Sequence, residues 1–293
     1  MGNKSSKSAG TQEFLKTKFP SKPTQSYDVG PTCRQSGWAL SKRAIEKTTG
    51  ETYIAEYCNR VTTNQEEVVD LGRLYQIFKT VNHPNMVKLH QVFKLSKEKY
   101  VFVTCNYQDS DLFDFIVDKT ENSKITEEEA ANYTHQLLLA VQHLHKLDIV
   151  HRDIKPEWAY FQDDDFTKIL LHPGPFCTEP GNSTNLTKLC GTVTYFAPEI
   201  ANGKEYGKAV DCWSLGVTVF VMLSGGMPFN SMSETETLEM VKRAEYEFKP
   251  EFWSTRSEEA RDFVSGLMTV DPDKRMNCEQ ALQHPWITSN QAC

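Results

Sequence analysis

Between residues 126 and 145 apolar positions recur at helical spacing: Ala130, Tyr133, Leu137, Leu138, Val141 and Leu144. That spacing predicts one long buried helix. Residues 1–26 read differently. They are rich in Ser, Thr, Lys and Pro, a composition expected for a disordered arm. Pro180-Gly181-Asn182-Ser183 has turn chemistry and reads as a linker. No apolar run reaches the 18 residues of a transmembrane helix, and no signal-peptide apolar segment is present.

The length of 293 residues suits one large domain or two lobes sharing a cleft, and 39% hydrophobic residues suffice for a core. The net charge of −7 argues against a nucleic-acid partner. The charge is uneven: Lys4, Lys7, Lys16, Lys18 and Lys22 against Glu13 leave the arm at +4 and the remainder at −11. Eight cysteines form no C-x-x-C pair and are expected to be reduced thiols, with no metal site assigned to them. The glycosylation sequons at Asn132, Asn182 and Asn185 are expected to be inert in a reducing compartment.

The chain opens Met1-Gly2-Asn3-Lys4-Ser5-Ser6, which fits the N-myristoylation pattern with Gly2 as acceptor. One acyl chain binds a membrane only marginally, so the five lysines supply the second signal to anionic lipid. The expectation is an acylated basic arm on the cytoplasmic face of a membrane, with a cytosolic pool.

Residues 151–158 read His151-Arg152-Asp153-Ile154-Lys155-Pro156-Glu157-Trp158. This resembles the catalytic loop of a protein kinase, H-R-D-x-K-P-E-N, with Trp158 in place of the metal-binding Asn. Further landmarks follow in order: Cys190-Gly191-Thr192 through Ala197-Pro198-Glu199, then Asp211-Cys212-Trp213-Ser214-Leu215-Gly216, then Asp271 to Arg275, then His284-Pro285-Trp286-Ile287. The resemblance covers about residues 27–287 and is nearest to the calmodulin- and calcium-dependent kinases. It implies a two-lobed α+β kinase fold. The N-lobe, about 27–106, would be a small sheet with one main helix, and the C-lobe, about 107–287, mainly helical. A short tail would occupy 288–293. His151, Arg152, Asp211 and a Glu199–Arg275 pair would be structural.

Counting from Thr49-Gly50-Glu51-Thr52, which resembles the hairpin turn before the third strand, and from His83-Pro84-Asn85 assigns the nucleotide positions. Arg34, Ser36 and Ala39 stand where the family has glycines that let backbone close over phosphates. Ser41 replaces an adenine-packing valine and Ile54 a small alanine. Glu56 replaces the phosphate-gripping lysine, and Leu74 the helix glutamate that pairs with it. At the metal-binding aspartate the resemblance gives Leu171, or His172 with one insertion that also aligns Gly174. Neither offers the carboxylate that Mg²⁺ prefers. Asp153 and Lys155 match the catalytic base and the phosphate lysine, as vestiges. Lys42 is a candidate replacement lysine.

The resemblance therefore implies a pseudokinase with no cofactor: no Mg²⁺ and doubtful ATP binding. Its role would be scaffold, decoy or allosteric partner of another signalling protein or an active kinase. The alternative is an atypical serine/threonine kinase. Arg34 and Glu56 are expected either to pair across a collapsed cleft or both to face solvent. Trp158 and Ile54 are expected to fill the space of metal and adenine, or Trp158 to swing onto the surface. Asp111 and Glu157 stand where related kinases hold a basic substrate residue. Ser183, Thr184 and Thr187 are candidate phosphosites near Arg152, in what otherwise reads as a plain linker. The six residues after Ile287 hold no EF-hand pattern, so direct calcium control is not expected.

Overall fold

The computed structural model describes residues 9–59, 69–122 and 125–290. Gly2, Lys4 and Lys7 lie outside the described residues. The rest of the arm differs from expectation, because helix α1 (Ala9–Lys16) and the short α2 (Pro23–Ser26) precede the sheet. Phe14 explains the order: it is buried among Phe19, Tyr75 and Tyr100, with ring centroids 4.7–5.3 Å away. Burying one such ring is worth about 1.5–3 kcal/mol, enough to hold two helical turns down.

Strands β1 (Tyr27–Gln35), β2 (Ala39–Glu46), β3 (Thr52–Asn59), β4 (Leu89–Lys94) and β5 (Lys99–Cys105) form one antiparallel sheet in the order β1-β2-β3-β5-β4. In β1 the register slips between Val29 and Thr32, across Gly30-Pro31. Proline has no N–H for the ladder, so a bulge there is expected. Helix α3 (Leu71–Thr80) packs against the sheet through Phe78 and Phe102, and its cap is Asp70, which accepts from the N–H groups of Gly72 and Arg73. Thr11 of α1 donates to the same carboxylate at 3.0 Å. Gly72 permits that approach, since a Cβ there would meet Thr11 Cα at 2.9 Å.

The C-lobe contains α4 (Leu112–Asn122), the predicted long helix as α5 (Glu127–Lys146), and a hairpin of β6 (Ala159–Phe161) with β7 (Ile169–Leu171). A capping box of Thr126 and Glu129 starts α5. Then come α6 (Pro198–Ala201), α7 (Ala209–Ser224), α8 (Glu234–Arg243), α9 (Pro250–Trp253), α10 (Glu258–Leu267), α11 (Cys278–Leu282) and α12 (Pro285–Ser289). Helix α7 is buried continuously from Val210 to Leu223, the mark of a helix apolar all round at the centre of a lobe. The α+β, two-lobed arrangement is as expected. The tail begins later than residue 288, because Thr288 and Ser289 complete α12.

Candidate functional site

Two antiparallel strands and two loops build the cleft. The β3 pleat sends Ile54, Glu56 and Cys58 to one face and Ala55 and Tyr57 to the other. Ile54 and Glu56 are both buried on the cleft side. Glu56 accepts from Tyr107 Oη at 2.7 Å and lies 3.2 Å from His172 Nε2. Tyr107 stacks on Tyr160 at 4.3 Å, and burial beside Glu56 pushes its hydroxyl well above the usual range. His172 follows β7 and precedes Gly174, whose φ is +64°. Of the two readings of the metal-aspartate position, His172 is therefore the residue that faces Glu56. Leu171 lies in β7, opposite Ala159, fully buried. Where the resemblance places a lysine and an aspartate, this chain has an acid on the strand and a histidine on the loop.

Arg34 and Glu56 do not pair, and neither is free in solvent. Arg34, Ser41 and Glu56 are in register on β1, β2 and β3. Two strand spacings, about 9.6 Å, separate the outer two, and Tyr107 and His172 already occupy the carboxylate. Arg34 instead pairs with Asp111 and sits 5.1 Å above the Tyr160 ring, with Asp114 3.9 Å away. Asp111 is thereby buried under an arginine of its own chain rather than open to a substrate residue. Glu157 lies 4.0 Å from Lys155.

The β1–β2 connection is a tight turn in which Ser36 N–H donates to Ala39 O at 2.9 Å and Ala39 N–H to Ser36 Oγ at 3.2 Å. The turn carries Trp38, which no motif had singled out. Its ring is 6.2 Å from Trp158 and 5.9 Å from His172. Trp158 stacks on His172 at 5.4 Å and is 8% exposed, so it points inward and not onto the lobe surface. A bulky aromatic in a glycine-loop turn was the available signal for Trp38.

Trp158 Nε1 donates to Asp153 Oδ2 at 2.7 Å, and Thr192 Oγ1 donates to Asp153 Oδ1 at 2.8 Å. Both oxygens of the catalytic-base position are engaged, and the residue is 3% exposed. Lys155 Nζ donates to Thr192 at 2.8 Å and lies 3.8 Å from Asp153. These residues do not fit Mg²⁺–ATP. Trp158 and His172 offer no oxygen ligands, and Glu56 would repel phosphate. Lys42 does not substitute. It pairs with Ala55 on the opposite face of the sheet, with Nζ 5.5 Å from the Tyr57 ring. Leu74 is buried on α3 as an apolar core residue.

The structural positions are intact. Asp211 accepts from the N–H groups of His151 and Arg152 at 2.8 and 2.9 Å, and its Oδ2 is 2.9 Å from His145 Nε2. Burial opposes its ionisation, but the hydrogen bonds from His145 and His151 hold it below the usual carboxylate range. Arg152 takes a positive φ of 69°, and Gly191 must be glycine, since a Cβ there would lie 2.4 Å from Arg152 O. His151 is fully buried, which depresses its pKa. Arg275 forms a bidentate pair with Glu199 at 2.7 and 2.9 Å. Among the candidate phosphosites Ser183 is buried, bonded to Asp148 at 3.1 Å, which makes it a structural hydroxyl. Thr184 and Thr187 are exposed.

Residues 37–287 match the model of the protein kinase domain. The chain is 36% identical over 264 residues to the serine/threonine-protein kinase DCLK3 of Mus musculus, and 35% to that of Homo sapiens. Those alignments take in 89% of this chain but only 33% and 40% of the relatives' lengths. Myosin light chain kinase A of Dictyostelium discoideum is 35% identical over 245 residues, 83% of this chain and 82% of that protein. With the two lobes, the loop at His151–Trp158 and the Glu199–Arg275 pair in place, the chain belongs to the protein kinase family.

Proposed function

We propose that this chain is a catalytically inactive or severely impaired pseudokinase. It works as a scaffold, decoy or allosteric regulator of another signalling protein, such as an active kinase. One observation carries the reading. The indole of Trp158 is hydrogen-bonded to Asp153, stacked on His172, and occupies the cleft where a metal ligand belongs. Phosphoryl transfer depends on positioning and on metals that neutralise developing charge, and this site supplies neither metal ligand.

Thermal denaturation with ATP, in the presence of Mg²⁺, Mn²⁺ or chelator, tests the proposal. A ligand at 100 times its Kd stabilises by about 2.7 kcal/mol, which is about 5–10 °C for a domain of this size. No shift is expected in any of the three conditions. A metal-dependent shift, followed by phosphate transfer to a peptide, would establish the second reading, an atypical serine/threonine kinase. That reading draws on the retained Asp153 and Lys155 and on the names of the relatives.

The proposal includes tethering to the cytoplasmic face of a membrane through acylated Gly2. Lys16, Lys18 and Lys22 are exposed beside α1, in position to face a charged surface. At about 1 kcal/mol each, they should favour anionic over neutral vesicles on the order of 100-fold. Sedimentation of the myristoylated chain with both vesicle types measures this. Loss of binding in Gly2→Ala is the expected outcome, and equal binding to both vesicles would remove the basic arm from the mechanism.

A further inference from the structure

Away from the cleft, the end of α5, the start of α7 and the start of α11 bring together three side chains that the catalytic loop does not use. Cys278 Sγ lies 3.7 Å from Cys212 Sγ and 3.8 Å from His145 Nδ1. The three atoms all fall within 4.8 Å of one another. Both sulfurs are buried, while His145 is partly exposed. The other ring nitrogen of His145, Nε2, faces the Asp211 carboxylate at 2.9 Å. A carboxylate accepts, so the proton belongs on Nε2 and the Nδ1 lone pair is turned toward the sulfurs.

We propose that His145, Cys212 and Cys278 form a binding site for Zn²⁺, completed by a water molecule. The spacing carries the argument. With Zn–S about 2.3 Å and Zn–N about 2.0–2.1 Å, tetrahedral coordination sets two sulfurs about 3.8 Å apart and sulfur and nitrogen about 3.6 Å apart. The two separations made by Cys278 already stand within a few tenths of an ångström of those values, and the third, between Cys212 and His145, is within 4.8 Å. They are far from the roughly 2.0 Å of a disulfide. The Asp211–His145 contact is the carboxylate–histidine arrangement that orients imidazole ligands at metal centres. Two thiolates and an imidazole select a softer ion than Mg²⁺. A cavity of about 670 Å³, lined by His145, Cys212 and Cys278 together with Asp273 and Glu279, gives the ion a way in and room for the water. On binding, Zn²⁺ takes the place of the two thiol protons, which pass to solvent, and no group is oxidised or reduced. The bound ion would join α5, α7 and α11 around Asp211, the carboxylate that holds the backbone of the catalytic loop.

The test uses the full chain, purified under reductant, stripped with chelator and titrated with Co²⁺. One Co²⁺ per chain is expected, with thiolate-to-cobalt charge-transfer absorption and tetrahedral ligand-field bands, both removed by one equivalent of Zn²⁺. Cys212→Ser and Cys278→Ser should each weaken Co²⁺ binding by more than about 100-fold, beyond what losing an outer-shell partner costs. Cys33→Ser and Cys105→Ser, at thiols elsewhere, should leave the spectrum unchanged. The spectrum of the unaltered chain does not depend on any variant folding. Its lack of a thiolate–cobalt band would overturn the site. So would a band that persists in both serine variants at 212 and 278, or a Cys212–Cys278 disulfide mapped in reductant-prepared protein.

Discussion

Replacing Arg275 with alanine is expected to destabilise the fold by about 3–5 kcal/mol, the usual result of stranding one half of a buried ion pair. The guanidinium is fully buried, clamps both oxygens of Glu199, and also donates to the carbonyls of Ala209, Thr269 and Val270. Its Cζ lies over the Trp213 ring, 5.1 Å from the ring centre. Removal leaves a buried carboxylate without its cation and three carbonyls without a donor. The melting temperature should fall on the order of 10 °C for a domain of this size. Arg275→Lys should recover little of the loss, because a point ammonium cannot reproduce the two-pronged contact or the stacking. Urea unfolding of both variants measures this. A cost below 1 kcal/mol would mean that the pair does not hold α6 to the segment between α10 and α11.

That pair was readable from sequence because both partners sit in motifs of fixed spacing within rigid helical surroundings. The same holds for Asp211 and for the 126–145 helix, whose apolar stripe alone defines it. The cleft was only half readable. Position along a strand told that Glu56, Ile54 and Ser41 face inward, since the pleat has a period of two. Which partner each would choose was not encoded locally. Arg34 has two carboxylates beside it, Asp111 and Asp114. It turns to Asp111 and the Tyr160 ring, while Tyr107 and His172 take Glu56. Trp38 escaped notice for a related reason. Its partners, Trp158 and His172, are 120 and more residues away along the chain. The trio His145, Cys212 and Cys278 has no sequence signature either, because its members lie on three separate helices or their ends.

The contact between Glu56 and His172 leads to the second large effect. Glu56→Lys introduces the lysine that the resemblance assigns to this position, yet it is expected to destabilise by about 3–5 kcal/mol. The new ammonium would stand against His172 in a buried site and would leave the Tyr107 hydroxyl, now bonded at 2.7 Å, without its acceptor. His172→Asp alone should also destabilise, by setting two carboxylates face to face. The double substitution places the lysine and the aspartate opposite each other again. It should recover about 1–3 kcal/mol relative to the sum of the single changes, the coupling expected of residues in contact. Phosphotransfer should remain at background in the double variant, because Trp158 still holds Asp153 Oδ2 and still denies the second metal a ligand. Adding Trp158→Asn completes the ligand set, and ATP with Mg²⁺ should then raise the melting temperature of the triple variant but not of the double. If the double variant shows no coupling, Glu56 and His172 are not interacting, and the cleft is held shut by the Trp38–Trp158–His172 stack alone. If ATP stabilises the double variant, the tryptophan is not the barrier, and the Glu56–His172 pair by itself keeps nucleotide out.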